Sequence, residues 1–292
     1  MRRAALLAAA LSFALLAPLA AAGSKKPRAP RLPPAPPVAD SVTVGLWSMD
    51  ENGGPLVSDS GPFRLRGTAG GDTRTDFGRF RSARVFTRSQ QSFVVVPRNP
   101  VLDVPHGFTI EAWVQANSLS DYELEVIAAR WSPVPGEQSW VLGVAGLRQA
   151  YPIVPAGAPG IFERVVADQP VGRLLFVMQP AQAAAPVAFA SGGALPLGRW
   201  VHVAATVDGQ AVRLYLDGRL DAQYATGQTV RGSFAPLVFG NLVDERRLTD
   251  IGGPLQIDGT SDYSPYYGFD GVIDEVRLSN TARTRFESLD SR

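Results

Sequence analysis

Apolar residues recur at every second position through much of residues 42–278. That period turns alternate side chains of an extended strand to one side. The clearest stretch is 200–218, WVHVAATVDGQAVRLYLDG. Val201, Val203, Ala205 and Val207 alternate there with Trp200, His202, Ala204 and Thr206. After Asp208-Gly209, Val212, Leu214 and Leu216 alternate with Arg213, Tyr215 and Asp217. Asp-Gly suits a two-residue hairpin loop, because Gly adopts a positive φ without strain. Such a loop predicts Ala205 opposite Val212, Val203 opposite Leu214 and Val201 opposite Leu216, one wholly apolar face. The reverse face then pairs His202 with Tyr215 and Trp200 with Asp217.

The same period predicts strands at 42–49, 83–87, 92–96, 108–115, 125–130, 138–144, 173–179, 187–190, 220–224, 237–240 and 271–278. A short strand is expected at 63–68, and a short helix at 281–289 with Thr281 as its cap. Short strands punctuated by turn residues give an all-β, antiparallel two-sheet sandwich or jellyroll. Two segments break the rhythm. Residues 145–172 are rich in Pro, Gly and Ala. Residues 241–267 hold Asp244, Glu245, Asp250, Asp258 and Asp262 beside Tyr263, Tyr266 and Tyr267. Loops of this length are uncommon in a compact domain and are often functional; drift in a surface insertion is the competing explanation.

Four segments carry a resemblance. The 200–218 stretch, with Trp, then His two residues on, then a small-residue strand and two Asp-Gly turns, is similar to the LamG-like jellyroll family. That family lies within the concanavalin A-like lectin and glucanase superfamily. GLWSMDENGGPLVSDSGP (45–62) resembles its opening strand, FTIEAWV (108–114) its second long strand, and GFDGVIDEVRLSNTAR (268–283) its closing strand. The resemblance spans 42 to about 289 and implies a concanavalin A-like jellyroll. It also implies a structural Ca²⁺ joining the closing strand to the opening segment. Asp274 and Asp50 match those positions, with Gly67 as a backbone-carbonyl donor. Hard oxygen ligands from distant segments suit Ca²⁺. Independently, Val272, Asp274, Val276 and Leu278 fall on one face by alternation, and a carboxylate on an apolar face needs a partner. An ion pair with Arg64 or Arg66 is the alternative to a metal.

Composition narrows the picture. Met1 and residues 2–22 have the form of a secretory signal peptide: Arg2-Arg3, an apolar run over 4–16 and the small residues Ala20-Ala21-Ala22. Residues 23–40 read as a Pro-rich linker tending to polyproline II, and 41–292 as the folded domain. The expected location is secreted, periplasmic or extracellular, with no transmembrane segment in the mature chain. Cysteine is absent, which removes disulfides and thiolate chemistry. Residues 1–37 carry six of the 28 basic residues and no acid, leaving 22 basic residues against 27 acids. A mildly acidic domain argues against a nucleic-acid partner.

Catalytic signatures are missing from the sequence. The E-x-D-x-x-E string of retaining glucanases does not occur, nor do H-E-x-x-H, G-x-S-x-G or a P-loop. Asp121, Glu123 and Glu125 alternate at a loop–strand junction without forming a known motif. His202, on a regular strand, reads as packed rather than catalytic. Asp59-Ser60-Gly61 reads as a turn. Trp47, Trp113, Trp131, Trp140 and Trp200 are expected in the core by default; on the hairpin's less apolar face, Trp200 and Tyr215 either pack beneath a covering loop or stack on sugar rings. Trp200, Tyr215, Tyr263, Tyr266 and Tyr267 are the candidate ligand-binding aromatics. The reading is a secreted non-catalytic module that binds a glycan through loops and a concave face. A protein-binding or adhesion module of the cell envelope, with an extracellular protein as partner, is one alternative. A glycan-active hydrolase or lyase with an unrecognised site is the other.

Overall fold

The computed structural model describes residues 34–286 apart from 133, 149–162, 167, 252 and 259–265. Its strands are, in order, β1 (Thr43–Trp47), β2 (Leu56–Val57), β3 (Gly67–Gly70), β4 (Arg74–Phe77), β5 (Ser82–Phe86) and β6 (Phe93–Val96). Then come β7 (Phe108–Ala116), β8 (Leu124–Trp131), β9 (Gln138–Ala145), β10 (Arg173–Met178), β11 (Val187–Ala194) and β12 (Val201–Val207). The last are β13 (Ala211–Leu216), β14 (Arg219–Ala225), β15 (Leu237–Phe239), β16 (Leu248–Thr249), β17 (Gln256–Ile257) and β18 (Gly271–Ser279). They build two eight-stranded antiparallel sheets. The first runs β14-β13-β12-β7-β18-β5-β4, with β1 also paired to β18; the second runs β11-β10-β9-β8-β15-β6-β3-β2. This is the all-β jellyroll sandwich expected from the period-two pattern.

The inner faces close on one another. Val201, Val203, Ala205, Val207, Val212, Leu214, Ile110, Val114 and Ile273 of the first sheet share a buried core with Trp140, Leu142, Phe176, Val94 and Phe239 of the second. Trp47 meets Phe239 edge-on at 5.2 Å between ring centroids. Burial of such side chains contributes about 1.5–3 kcal/mol each and is the main source of stability in a chain without disulfides.

Both outer faces are also covered. On the first sheet, Glu111 is held between His202 (2.9 Å) and Arg277 (2.7 Å). Burial opposes ionisation of Glu111, but its bonds to His202 and Arg277 prevail and lower its pKa. The segments before β1 and after β18 lie over this face. Arg277 donates to the Val38 carbonyl, Arg283 grips Asp40 through two bonds of 2.7 and 2.8 Å, and the Phe286 ring rests on His202 and Tyr215. On the second sheet, Val126, Trp131, Val141, Leu175 and Val177 pack beneath Val166, Leu242 and Tyr267. The described parts of both insertions, through Val166, Leu242 and Tyr267, therefore pack on one sheet.

Four local expectations are corrected. Val207 pairs with Val212 and Val203 with Leu216, so the hairpin register is displaced by two residues. The cause is a wider loop: the Asp208 carboxylate accepts the backbone N–H of both Gln210 and Ala211. An even shift leaves every side chain on its predicted face, but His202 stands opposite Trp113 of β7 rather than Tyr215. Residues 63–66 form a loop and the strand begins at Gly67, while β4 was not foreseen. No helix forms over 281–286; there Arg283 N–H donates to Thr109 and Thr109 donates to the Thr281 carbonyl, which holds the chain extended. Finally, β18 carries a bulge between Asp274 and Arg277, with Glu275 at φ 52°. Ile273, Val276 and Leu278 face the core, and Asp274 stands opposite Trp113 on the other face.

Candidate functional site

One end of the sandwich gathers the loops before β3, before β7, after β12 and after β18. They enclose a cleft of about 770 Å³ whose walls include Phe63, Asp103, His106, Asp208, Asn280 and Thr281. Phe63 is 52% exposed, which is unusual for a ring on so well-fixed a loop. Asp59, itself buried, accepts three backbone N–H groups: Leu46 at 2.8 Å, Gly61 at 2.6 Å and Leu65 at 2.7 Å. Trp47 Nε1 donates to the Leu65 carbonyl at 2.7 Å. Asp59 and Gly61 are joined through the Asp59 carboxylate, and the backbone turn itself falls on Pro62 and Phe63, just beyond the expected Asp59-Ser60-Gly61. The opposite wall is equally tied. Asn99 caps the short 3₁₀ turn Pro100–Leu102 by accepting from Val101, and Leu102 is buried beneath it. Asp103 accepts the Ser233 N–H. An exposed ring on a pre-ordered loop loses little entropy when it meets a ligand.

Sequence reasoning missed Phe63, which it placed at the start of a strand. The signal was present: a Pro and a turn immediately before it, and arginines at 64 and 66 after it. His106 is solvent-facing, as expected, and forms part of the cleft wall.

The residues implied as metal ligands separate into two groups. Asp50 and Asp274 meet near the β4–β5 turn. Asp274 accepts the Phe80 N–H at 3.0 Å, and Asp50 accepts the Ser82 N–H at 3.2 Å and Arg81 at 3.0 Å. Among the described residues no arginine bonds to Asp274, and the ion pair expected with Arg64 or Arg66 is replaced by a backbone donor. Gly67 lies in the second sheet against Val57, Val94 and Val96. The bulge adds Glu275. Asp274 Oδ1 and Glu275 Oε2 are buried and have no hydrogen-bond partner among the described residues. Burial pushes Asp274 up to about 7, with the Asp50 charge adding to it. Burial and then the charges of Asp274 and Asp50 push Glu275 up to about 8. Orphaned carboxylate oxygens of this kind suit a hard cation. Among the described residues, however, no three His, Cys, Asp or Glu side chains are already arranged to hold a metal.

The predicted aromatic site is dispersed. Tyr215 is buried beneath Phe286, and Tyr267 is buried with its hydroxyl donating to Glu123, so neither offers a ring to solvent. Alternation assigned Tyr215 to the correct face; the covering segment removes it from the surface. Tyr263 lies outside the described residues. Trp200 is half-buried. Tyr266 is half-buried and meets Tyr122 edge-on at 4.9 Å. Tyr122 borders a smaller cleft of about 280 Å³ with Arg88, Ser89 and Asp270 at the other end of the sandwich. Behind it Glu125 receives Arg88 at 2.9 Å; burial nonetheless pushes that carboxyl up to about 7. Among the described residues no helix is long and apolar enough to cross a membrane.

A laminin G family model described as the concanavalin A-like lectin/glucanases superfamily matches residues 87–287. No curated protein matches the chain by sequence. Among solved structures, the chain is similar to the binding domain of Paraclostridial Mosquitocidal Protein 1, at TM-score 0.55 and 12% identity over 85% of this chain and 50% of that one. It is also similar to domain 4 of AbnA, a GH43 extracellular arabinanase from Geobacillus stearothermophilus, solved with arabinotriose; the TM-score is 0.51 and the identity 17% over 85% and 96% of the two chains. A third is botulinum neurotoxin type C, whose cell entry depends on interaction with two ganglioside molecules, at TM-score 0.53 and 12% identity over 83% and 48%. The chain spans about half the length of the toxin chains it matches. At these identities the likeness is one of fold.

Proposed function

The chain belongs to the concanavalin A-like lectin/glucanases superfamily, and from that premise we propose that it is a secreted, non-catalytic module that binds carbohydrate at the loop end of its sandwich. The observation that carries this reading is Phe63, an exposed ring held rigid by Asp59 over a polar cleft. An aromatic face packs against the apolar face of a sugar ring, while Asp103, Asp208, His106, Asn280 and Thr281 offer acceptors and donors to its hydroxyls. The binding domains among its structural neighbours support the same reading, arabinotriose and gangliosides being ligands of two of those proteins. Secretion rests on the signal-peptide pattern of residues 1–22. Screening the folded chain on a glycan array, with Phe63→Ala alongside, tests the reading.

A structural Ca²⁺ forms part of the proposal. Asp274, Glu275 and Asp50 would hold it, and it would neutralise carboxylates that burial otherwise penalises. It would tie β18 to the segment after β1, with Gly67 taking no part.

A protein-binding role is supported by a separate surface. Phe77 is 90% exposed at the tip of β4, the free edge of the first sheet. One structural neighbour, the binding domain of botulinum neurotoxin DC, was solved in complex with rat synaptotagmin II. Pull-down from envelope fractions with wild type and Phe77→Ser separates this role from sugar binding.

A further inference from the structure

We propose that the ligand is an acidic oligosaccharide that crosses Phe63, with its carboxylate or sulfate group seated on Arg64 and Arg66. This rests on the glycan-binding reading and adds the chemical class. Phe63 lines two clefts. The larger carries Asp103, His106, Asp208 and Asn280. The smaller, about 210 Å³, is walled by Arg64, Arg66, Arg98 and Asn99, with Leu65, Val96 and Pro97 completing it. The charged side chains thus change from carboxylates, with Asp208 paired to Arg213 and Asp103 to Arg130, to guanidinium groups between the two clefts.

The three arginines of the smaller cleft are not equivalent. Arg98 is bonded to Glu137, Glu245 and the Phe234 carbonyl, so its charge is already answered. Arg64 and Arg66 are exposed and have no carboxylate partner among the described residues; Arg64 Nη1 makes one long bond, 3.5 Å, to the Asp59 carbonyl. Arg64 also holds a left-handed backbone, φ 52°, and the Arg66 N–H donates back to its carbonyl at 2.9 Å. Left-handed geometry is unfavourable for a side-chain-bearing residue and persists where its surroundings enforce it. Here the enforcement comes from Asp59 and Trp47 on Leu65. The result is a rigid Phe-Arg-x-Arg projection. Guanidinium groups pair carboxylates and sulfates through parallel N–H bonds. The acid-bearing sugar belongs in that half. A hydroxyl-rich neighbour belongs in the half with Asp103, His106 and Asn280, which offers acceptors and donors and no exposed unpaired guanidinium. The ligand thus spans at least two sugar units.

The test is an array of glycans in matched neutral, uronic-acid and sulfated forms, probed with the full chain and followed by calorimetric titration of the best pair at two salt concentrations. The expected result is a preference for the acidic member of at least tenfold, reduced by salt. Arg64→Gln/Arg66→Gln is expected to remove that preference, and Arg66→Gln alone to reduce it. Arg219→Gln, an exposed arginine on β14, serves as the charge control and is expected to keep it. Equal binding of neutral and acidic members overturns the proposal while leaving the glycan-binding reading intact. Absence of binding to any glycan by a chain with a normal melting transition overturns both. Arginine-dependent capture of a poly-glutamate peptide, with no glycan bound, assigns the surface to an acidic protein and also overturns the proposal.

Discussion

The Asp59 carboxylate accepts the Leu65 backbone N–H at 2.7 Å, closing the short loop from which Phe63 projects. One oxygen serves Leu46 and Gly61, and the other serves Leu65. The buried acid is thus the support and the exposed ring the tool. Asp59→Ala leaves three N–H groups without their acceptor. It is expected to lower stability by about 3 kcal/mol in chemical denaturation, since bonds to charged groups are worth about 1.5–3 kcal/mol each and are partly replaced by water. A loss below about 0.5 kcal/mol, the scale of ordinary surface substitutions, contradicts the role given to Asp59.

Asp274 and Glu275 make stability depend on pH in the metal-free chain. Their ordinary values are 3.8 and 4.5, and in the fold they rise to about 7 and about 8. The folded state binds protons more tightly than the unfolded one. Their contribution to stability is therefore full below the ordinary values and is lost as pH rises through about 7 and 8. Melting curves in chelator are expected to fall in midpoint from pH 5 to pH 8.5. Glu125, also raised to about 7, adds to the decline; Asp274→Asn removes one of these titrations and flattens it. An equal decline in wild type and variant excludes Asp274 as its source.

Calcium acts on the same carboxylates. Added Ca²⁺ is expected to raise the wild-type midpoint at pH 8 by several degrees, as any ligand of the folded state does in proportion to its occupancy. Asp274→Asn is expected to abolish the increment. An unchanged midpoint after chelation, in a sample shown beforehand to contain the metal, rules the site out.

Phe286 closes the first sheet over Tyr215 and His202, with both ring separations at 5.0 Å. Phe286→Ala is expected to cost about 3 kcal/mol, at the lower end for a buried ring. It also makes Tyr215 accessible, so quenching of tyrosine fluorescence by acrylamide increases. Unchanged quenching shows that other groups cover that face.

The sandwich was legible because a half-buried strand writes its two faces into alternate residues. Val201, Val203, Val212 and Leu214 are all buried, and a two-residue error in register did not move them from the core. Alternation distinguishes one face from the other but says nothing about what lies over the second. Tyr215 can either pack beneath a covering segment or face a ligand by alternation alone, and Phe286 supplies the cover; Tyr267, a candidate binding ring by its place in the second insertion, is buried in the cluster on the second sheet. Nor does the pattern register a bulge. The extra residue at Glu275 sends Asp274 away from the apolar face and brings a third carboxylate to Asp50. Phe63 was passed over because an aromatic residue ahead of a strand resembles the strand's first core position. Only the hydrogen bonds of Asp59 and Trp47 show it to be exposed on a fixed loop.

The most direct test of the account is calorimetric titration of the best array glycan into the wild-type chain and into Phe63→Ala, with melting curves of both. The account predicts saturable binding that the substitution weakens about tenfold, the scale of a lost aromatic stacking contact, at an essentially unchanged melting midpoint. Equal affinities in the two proteins, or no glycan binding by a chain that melts normally, contradict it.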